Sequence, residues 1–300
     1  MDTNGRAFPP TRQLADGLYW LRGGDCYIFQ GEMFGLGDDV RLHQYHSMFV
    51  IQGESESLLV DTGSPKDWSG ISAGLDELVA AGVPEPSYIF PTHAEVPHSG
   101  NLGRLLQKFP AAIVCGDIRD YHLLFPESEG RCRAYSVGDC IDLGGTQFVV
   151  REAVIRDLPT SLWGYDTRSG ALFVADGFNF THYHGAEECG KVAEEIPNLP
   201  ISDFVAVVTG LGLYWTQFTD MEPLIVQIDK MVGSEEYPVK MIAPAHSCPV
   251  VDPEVTLPKL KAGLRRARGI TRAGLSRQLA ERRLGESIGD AASGVPSQGA

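Results

Sequence analysis

The chain has 300 residues, 43% apolar and 21% charged, with a formal net charge of −14. This composition supports a sizeable buried core and excludes a disordered or fibrous protein. No apolar run reaches the length of about 18 residues that a membrane span needs, and the acidic balance argues against nucleic acid as a partner. The segment from Met1 to Arg12 is polar and lacks an apolar leader core, and the six cysteines form no CxxC pair. Both features predict a cytoplasmic protein with reduced thiols and no membrane association.

The opening residues, 17–29, read as short β segments, LYWLRG and CYIFQG. HSMFVIQGESESLLVDTG then reads as a hairpin: Met48-Phe49-Val50-Ile51 is one strand, 53–57 the turn and Leu58-Leu59-Val60 the next strand. Ile71, Leu75, Leu78 and Val79 share one face of a helix over 68–81, which Gly82 ends. SYIFPTH is an apolar strand running into a loop, and a helix opens near Gly100 with Leu102, Leu105 and Leu106 on it. AAIVCGD is a further strand. Between 133 and 154 come RAYSVGD and IDLGGTQFVVREAVI, followed by GALFVADGF, a helical region over 222–232 and a last strand in KMIAPAH. Strands with helices interleaved in both halves predict two packed sheets flanked by helices. From Thr256 to Arg283 there are nine Lys/Arg residues and one acid, Glu281, which predicts a solvated helix lying on an acidic body.

The densest chemistry is Thr92-His93-Ala94-Glu95-Val96-Pro97-His98-Ser99-Gly100-Asn101. Two imidazoles and a carboxylate directly follow an apolar strand, where α/β sheets place ligands. Imidazole with carboxylate suits Zn, Fe or Mn. LFVADGF puts Asp176 at the end of another strand, and MIAPAHS does the same with His246. One strand-end Asp or His is more often a turn residue than a ligand; three such sites in one chain shift that balance.

LLVDTG, THAEVPHSGN, LFVADGF and APAHS, in that order over about residues 45–250, resemble the metallo-β-lactamase fold superfamily. The resemblance implies an αββα sandwich, two mixed β-sheets flanked by helices, over residues 1–255. A basic helical extension, 256–284, and a disordered tail, 285–300, would follow. Asp61 of LLVDTG would support the metal loop. Glu95 stands where the superfamily's hydrolases usually carry His, which is similar to the di-iron branch of flavodiiron proteins and related oxygenases. Two positions depart from that branch: Pro97 replaces an Asp ligand, and Asp157 stands where the pattern has a His. The implied site binds metal 1 through His93, Glu95 and Asp157, metal 2 through His98 and His246, and bridges both with Asp176.

Three carboxylates and three imidazoles favour iron or manganese over structural zinc. Two iron ions are expected, with Zn or Mn as alternatives; Pro97 leaves a single-metal site open. His182 and His184, close after Asp176, are candidate catalytic residues beside it. They, His43, His46 or Cys248 could also fill the gap at Pro97. Trp163, Tyr165, Tyr214 and Trp215 could wall a substrate pocket, although core packing is the preferred reading.

The resemblance implies an O2-handling oxidoreductase or oxygenase. The alternatives are a metal-dependent hydrolase of an ester, lactone or thioester, attacking with metal-activated water, and an oxygen-binding sensor, which only the basic helix supports. About 50 residues follow His246, whereas flavodiiron proteins continue into a flavodoxin-like module. Electrons are therefore expected from a separate donor protein or from the small-molecule substrate. A homo-oligomer is expected.

Overall fold

The computed structural model describes residues 11–37, 39–185 and 188–270, except the side chains of 23–28 and 33. The first half runs β1 (Thr11–Ala15), β2 (Leu18–Gln30), β3 (Arg41–Gln52), β4 (Ser57–Val60), α1 (Trp68–Ala80), β5 (Pro86–Phe90), α2 (Leu102–Lys108), β6 (Ile113–Gly116), α3 (Tyr121–Leu124) and β7 (Cys132–Ala134). The second runs β8 (Cys140–Asp142), β9 (Gln147–Glu152), β10 (Leu162–Asp166), β11 (Ala171–Phe173), β12 (His182–Tyr183), α4 (Ile201–Gly212), α5 (Glu222–Val232), β13 (Met241–Ala243) and α6 (Pro253–Ala267).

Two mixed sheets result. One has the order β1-β2-β3-β4-β5-β6-β7, with β12 added against β3; the other has the order β13-β11-β10-β9-β8. The sequence of β3 and β4 explains the sandwich. Met48–Ile51 of β3 and Leu58–Val60 of β4 are apolar at successive positions, so both faces must be covered there. Phe49, Ile51, Leu58 and Val60 face the second sheet, whereas Met48, Val50 and Leu59 face Ile71, Leu75 and Leu78 of α1 and Leu102, Leu105 and Leu106 of α2. Between the sheets, Phe90, Phe148 and Phe173 form an aromatic ladder with centroid spacings of 4.8 and 6.0 Å. Gly164 leaves room for the Phe148 ring, which a Cβ there would meet at 2.0 Å. Helices α4, α5 and α6 complete the core that contains the second sheet. The architecture is the expected αββα sandwich.

Several elements differ from the sequence reading. The two opening β segments are one strand, β2, whose pairing with β3 shifts register at Gly23/Asp25 and Asp25/Tyr27, as an irregular strand does when it bulges. Helix α4 and strands β10 and β12 were not expected. The basic segment begins at α6, where the Asp252 side chain caps the helix by accepting the Val255 N–H at 3.2 Å. Leu257, Leu260 and Leu264 of α6 are buried in the core. Its Lys261, Arg265 and Arg266 pair with Asp229, Glu222 and Asp203. Such exposed pairs contribute little individually, about 0–1 kcal/mol each, so burial of the leucines holds the helix down. Residues 271–300, including the expected tail, lie outside the described residues. No helix among the described residues is long and apolar enough to cross a membrane.

Candidate metal centre

Strand ends build the site. Asp61 leaves β4 in the left-handed region, φ 61°, which Asp tolerates better than most residues. Its carboxylate accepts the Thr92 N–H at 2.8 Å and the Thr92 hydroxyl at 2.9 Å, and lies 3.0 Å from His98 Nδ1. The loop after β5 is thereby tied to the end of β4. Asn101 adds a second tie, its Nδ2 lying within 3.0 Å of the carbonyls of Thr62, Gly63 and Ser64. With Nδ1–H of His98 directed at Asp61, the tautomer leaves the Nε2 lone pair facing inward.

Asp176 is the hub. It follows Ala175, whose φ of 47° is left-handed, a conformation that costs a residue with a Cβ about 1–2 kcal/mol. The turn directs the carboxylate at three imidazoles. His93 Nε2 lies 3.3 Å from Oδ2, while His98 Nε2 and His246 Nε2 lie 3.1 and 3.2 Å from Oδ1. Glu95 reaches His93 Nε2 at 3.4 Å. The donor atoms of His93, Glu95, His98 and Asp176 all fall within 4.8 Å of one another. Asp157 joins through a hydrogen bond to Glu95.

These atoms are close without being aligned on each other. His98 Nε2 and Asp176 Oδ1 are buried, and neither has a hydrogen-bond partner among the described residues. Orphaned polar atoms of this kind call for a bound partner such as a cation. Donors about 2.0–2.1 Å from one cation would lie about 3.0–3.4 Å apart, which is the spacing seen here. The site residues therefore fit a metal ion by both chemistry and spacing.

Charges reinforce the arrangement. Burial opposes ionisation of Asp176, but the charge on His98 and contacts from His246 and His93 outweigh it and hold the carboxyl well below its ordinary range. Burial likewise opposes protonation of His98, yet Asp61 and Asp176 raise its pKa well above the usual value. For His93, burial and His98 oppose protonation, and contacts to Asp176 and Glu95 overcome them and raise the pKa. Burial and the hydrogen bond with Glu95 push Asp157 up to about 6. Glu95 is lowered, first by its hydrogen bond to His93.

Without metal, then, His93 and His98 hold protons that ligation must displace. Metal loading is expected to release protons, and affinity is expected to rise with pH until the raised pKa values of His93 and His98 are passed. Calorimetric titration in two buffers of different ionisation enthalpy at neutral pH checks this; affinity independent of pH would contradict it.

A cavity of about 780 Å³ opens onto the hub. Glu95, Pro97, Asp157, Asp176 and His246 line it, with Phe29, Phe34, Val207, Leu211 and Leu213 forming an apolar wall. His46 lines it too, its ring 5.2 Å from that of His246 and its Nδ1 2.7 Å from Ser64 Oγ. Burial, followed by the neighbouring His246 and His98, lowers the His46 pKa to about 2, so this imidazole is neutral.

The fold does not carry every candidate here. His182 and His184 were expected beside Asp176, but β12 pairs with β3 and places them with His43 and Cys189, away from the cavity lining. Cys248 is fully buried in the core. Trp163 and Tyr165 are core residues, Tyr214 is exposed, and Trp215 donates to the Arg156 carbonyl at 3.0 Å. Sequence reasoning missed Gln44, Asn179 and the α4 wall, all of which line the cavity.

The family model of the metallo-beta-lactamase superfamily matches residues 43–192. Among curated proteins, the coenzyme F420H(2) oxidase of Methanothermobacter marburgensis is 26% identical over 259 residues, covering 81% of this chain and 58% of the relative. The anaerobic nitric oxide reductase flavorubredoxin of Vibrio vulnificus is 30% identical over 246 residues, covering 79% of this chain and 46% of the relative. The chain thus spans about half the length of the curated relatives it matches. Among solved structures, the flavodiiron protein of Giardia intestinalis superposes with a TM-score of 0.66 at 18% identity, covering 88% of this chain and 61% of that one. The rubredoxin oxygen:oxidoreductase of Desulfovibrio gigas also gives 0.66, at 12% identity, over 86% of this chain and 61% of that one. These likenesses are likenesses of fold. The family match extends over half of the chain and includes both the histidine loop and the turn at Asp176, and the chain belongs to the metallo-beta-lactamase superfamily.

Proposed function

We propose that this chain is a di-iron oxidoreductase that reduces or activates O2. The observation that carries the reading is the convergence of His93, His98 and His246 on Asp176, with Glu95 and Asp157 alongside. This carboxylate-rich donor set suits iron or manganese better than a structural zinc ion. The names of the curated relatives, an oxidase and nitric oxide reductases, support it.

In this reading His93, Glu95 and Asp157 hold one iron, His98 and His246 the other, and Asp176 lies between them. His46 takes up the position that Pro97 leaves without a carboxylate, because its neutral ring already stands beside His246 at the cavity. When bound, the iron pair supplies the electron-transfer chemistry. The chain supplies the surroundings. In the metal-free chain the Asp157 carboxyl is pushed up to about 6 by burial and by Glu95, so the proton the two carboxylates share leaves when they take up iron. Phe29, Phe34, Val207 and Leu211 exclude water from one wall and take the apolar part of a small-molecule substrate. Asn179 lines the same space, and its Oδ1 has no hydrogen-bond partner among the described residues, so it can accept from that substrate. Reducing O2 consumes electrons, so a donor belongs to the reading, either a separate protein or an oxidisable substrate. The five described cysteines are free thiols, which suits a reducing cytoplasmic compartment. Among the described residues of the basic segment, Lys261, Arg265 and Arg266 of α6 pair within the chain rather than facing a partner.

Anaerobic loading with Fe(II), followed by exposure to O2, tests the proposal. We expect O2 uptake and an oxo-bridged iron band in the near-ultraviolet. The His46→Ala variant should keep the first iron and lose most of the second. A protein that retains only zinc, consumes no O2 and cleaves p-nitrophenyl esters or lactones would instead be a metallohydrolase.

A further inference from the structure

A second cluster of metal-type side chains lies outside the cavity. Strand β12 places His182 directly opposite His43 on β3. The two rings are 5.0 Å apart, and the ring of His184 stands 5.1 Å from that of His43. The chain then turns back and brings Cys189 to the same place, its Sγ 3.5 Å from His43 Nδ1 and 3.6 Å from His184 Nδ1. The donor atoms of His43, His182 and Cys189 all lie within 4.8 Å of one another.

Hydrogen bonds to the Cys189 sulfur leave His182 unsatisfied. His182 is 1% exposed, and neither of its ring nitrogens has a hydrogen-bond partner among the described residues. Burying a polar ring without partners is costly, and a cation shared by the cluster would take up one of the two nitrogens. The distances agree. A tetrahedral ion with bonds of about 2.3 Å to sulfur and 2.0–2.1 Å to nitrogen sets S···N edges of about 3.5–3.6 Å. Supporting groups hold the ligands in place. Tyr45 stacks on His182, centroids 4.6 Å apart, and its hydroxyl accepts the Gly190 N–H at 2.6 Å, fixing the backbone next to Cys189. Burial, with the neighbouring His43 and His184, keeps the His182 pKa well below its usual value, so the ring offers a lone pair.

We propose that His43, His182 and Cys189 form a second metal site that binds one ion of the Zn(II) type, with His184 standing beside the sulfur. Imidazole together with thiolate suits such an ion, whereas hard oxygen-seeking ions avoid sulfur. On binding, the Cys189 thiol gives its proton to solvent and the S–metal bond replaces S–H. The fourth tetrahedral position falls to solvent or, after a small shift of its ring, to His184. None of the four lines the main cavity. The ion would staple the segment following Asp176 to β3, the strand that also carries His46.

Cobalt substitution of the full chain tests this independently of O2 chemistry. Chelated protein titrated with Co(II) should bind one equivalent beyond those held at Asp176, with a sulfur-to-cobalt charge-transfer band in the near-ultraviolet. Cys189→Ser should abolish the band and that equivalent alone. His182→Ala should weaken the same equivalent at least about tenfold. Asp176→Asn should keep the band while losing cobalt at the first site, so failure of either site is read separately. No such band in folded wild-type protein, or a band that survives Cys189→Ser, would overturn the proposal.

Discussion

Replacing Asp176 with Ala is expected to empty the site around it. Three imidazoles lie within 3.3 Å of its carboxylate, so the change removes the only group that touches His93, His98 and His246 together among those described. Even a residue that merely supports ligands costs 10–100-fold in metal affinity or activity; for the hub we expect a loss of at least about 100-fold in both. Metal analysis of the purified variant and an oxygen electrode measure these directly. The metal-free proteins should differ as well, in a definite pH window. The Asp176 pKa is depressed, so its contribution to stability is present above the ordinary carboxyl value of about 4 and is lost as pH falls through the folded value. The His98 pKa is raised, so the same interaction fades as pH rises through that folded value. Metal-free wild type should therefore exceed the Ala variant in stability between the two limits, and the curves should converge on either side. Melting curves at several pH values check this; a constant difference across pH would refute the assigned pairing.

Asp61 offers the second large effect, and two substitutions separate its roles. Asp61→Ala removes the acceptor of the Thr92 N–H and hydroxyl and the partner of His98 Nδ1. Buried donors left unpaired should cost about 3 kcal/mol, seen as an earlier unfolding midpoint. Asp61→Asn can still accept from Thr92, and Asn also tolerates the left-handed backbone at this position. Its amide, however, would present N–H to His98 Nδ1, which forces the proton onto Nε2 and removes the lone pair that ligation needs. We therefore expect the Asn variant to melt near wild type yet bind metal about 10–100-fold more weakly. Wild-type affinity in this variant would remove Asp61 from the support of the site.

Much of this was legible because the signals are local. Apolar runs such as Met48–Ile51 and Leu58–Val60 have to be buried on both faces, and the loop that follows β5 carries its donors within six residues, His93 to His98. What escaped is non-local or lacks contrast. Helix α4 is apolar nearly all round and rich in valine, so it shows no clear face, yet its Val207, Val208 and Leu211 line the cavity. His182 and His184 were read as partners of Asp176 because they follow it closely in sequence. Pairing of β12 with β3 decides their position instead, and sequence pattern does not reveal that pairing. His46 was one of several loose histidines until β3 and Ser64 fixed it beside His246.

The volume of the cavity bears on what enters it. A molecule the size of water occupies about 30 Å³, and dioxygen is of the same order, whereas the chamber beside Asp176 measures about 780 Å³. A diatomic gas would fill only a small fraction of such a chamber and touch few of its walls. Phe29, Phe34 and the α4 side chains line one wall of this open space, and in the proposed reading that room goes to an organic co-substrate beside the gas.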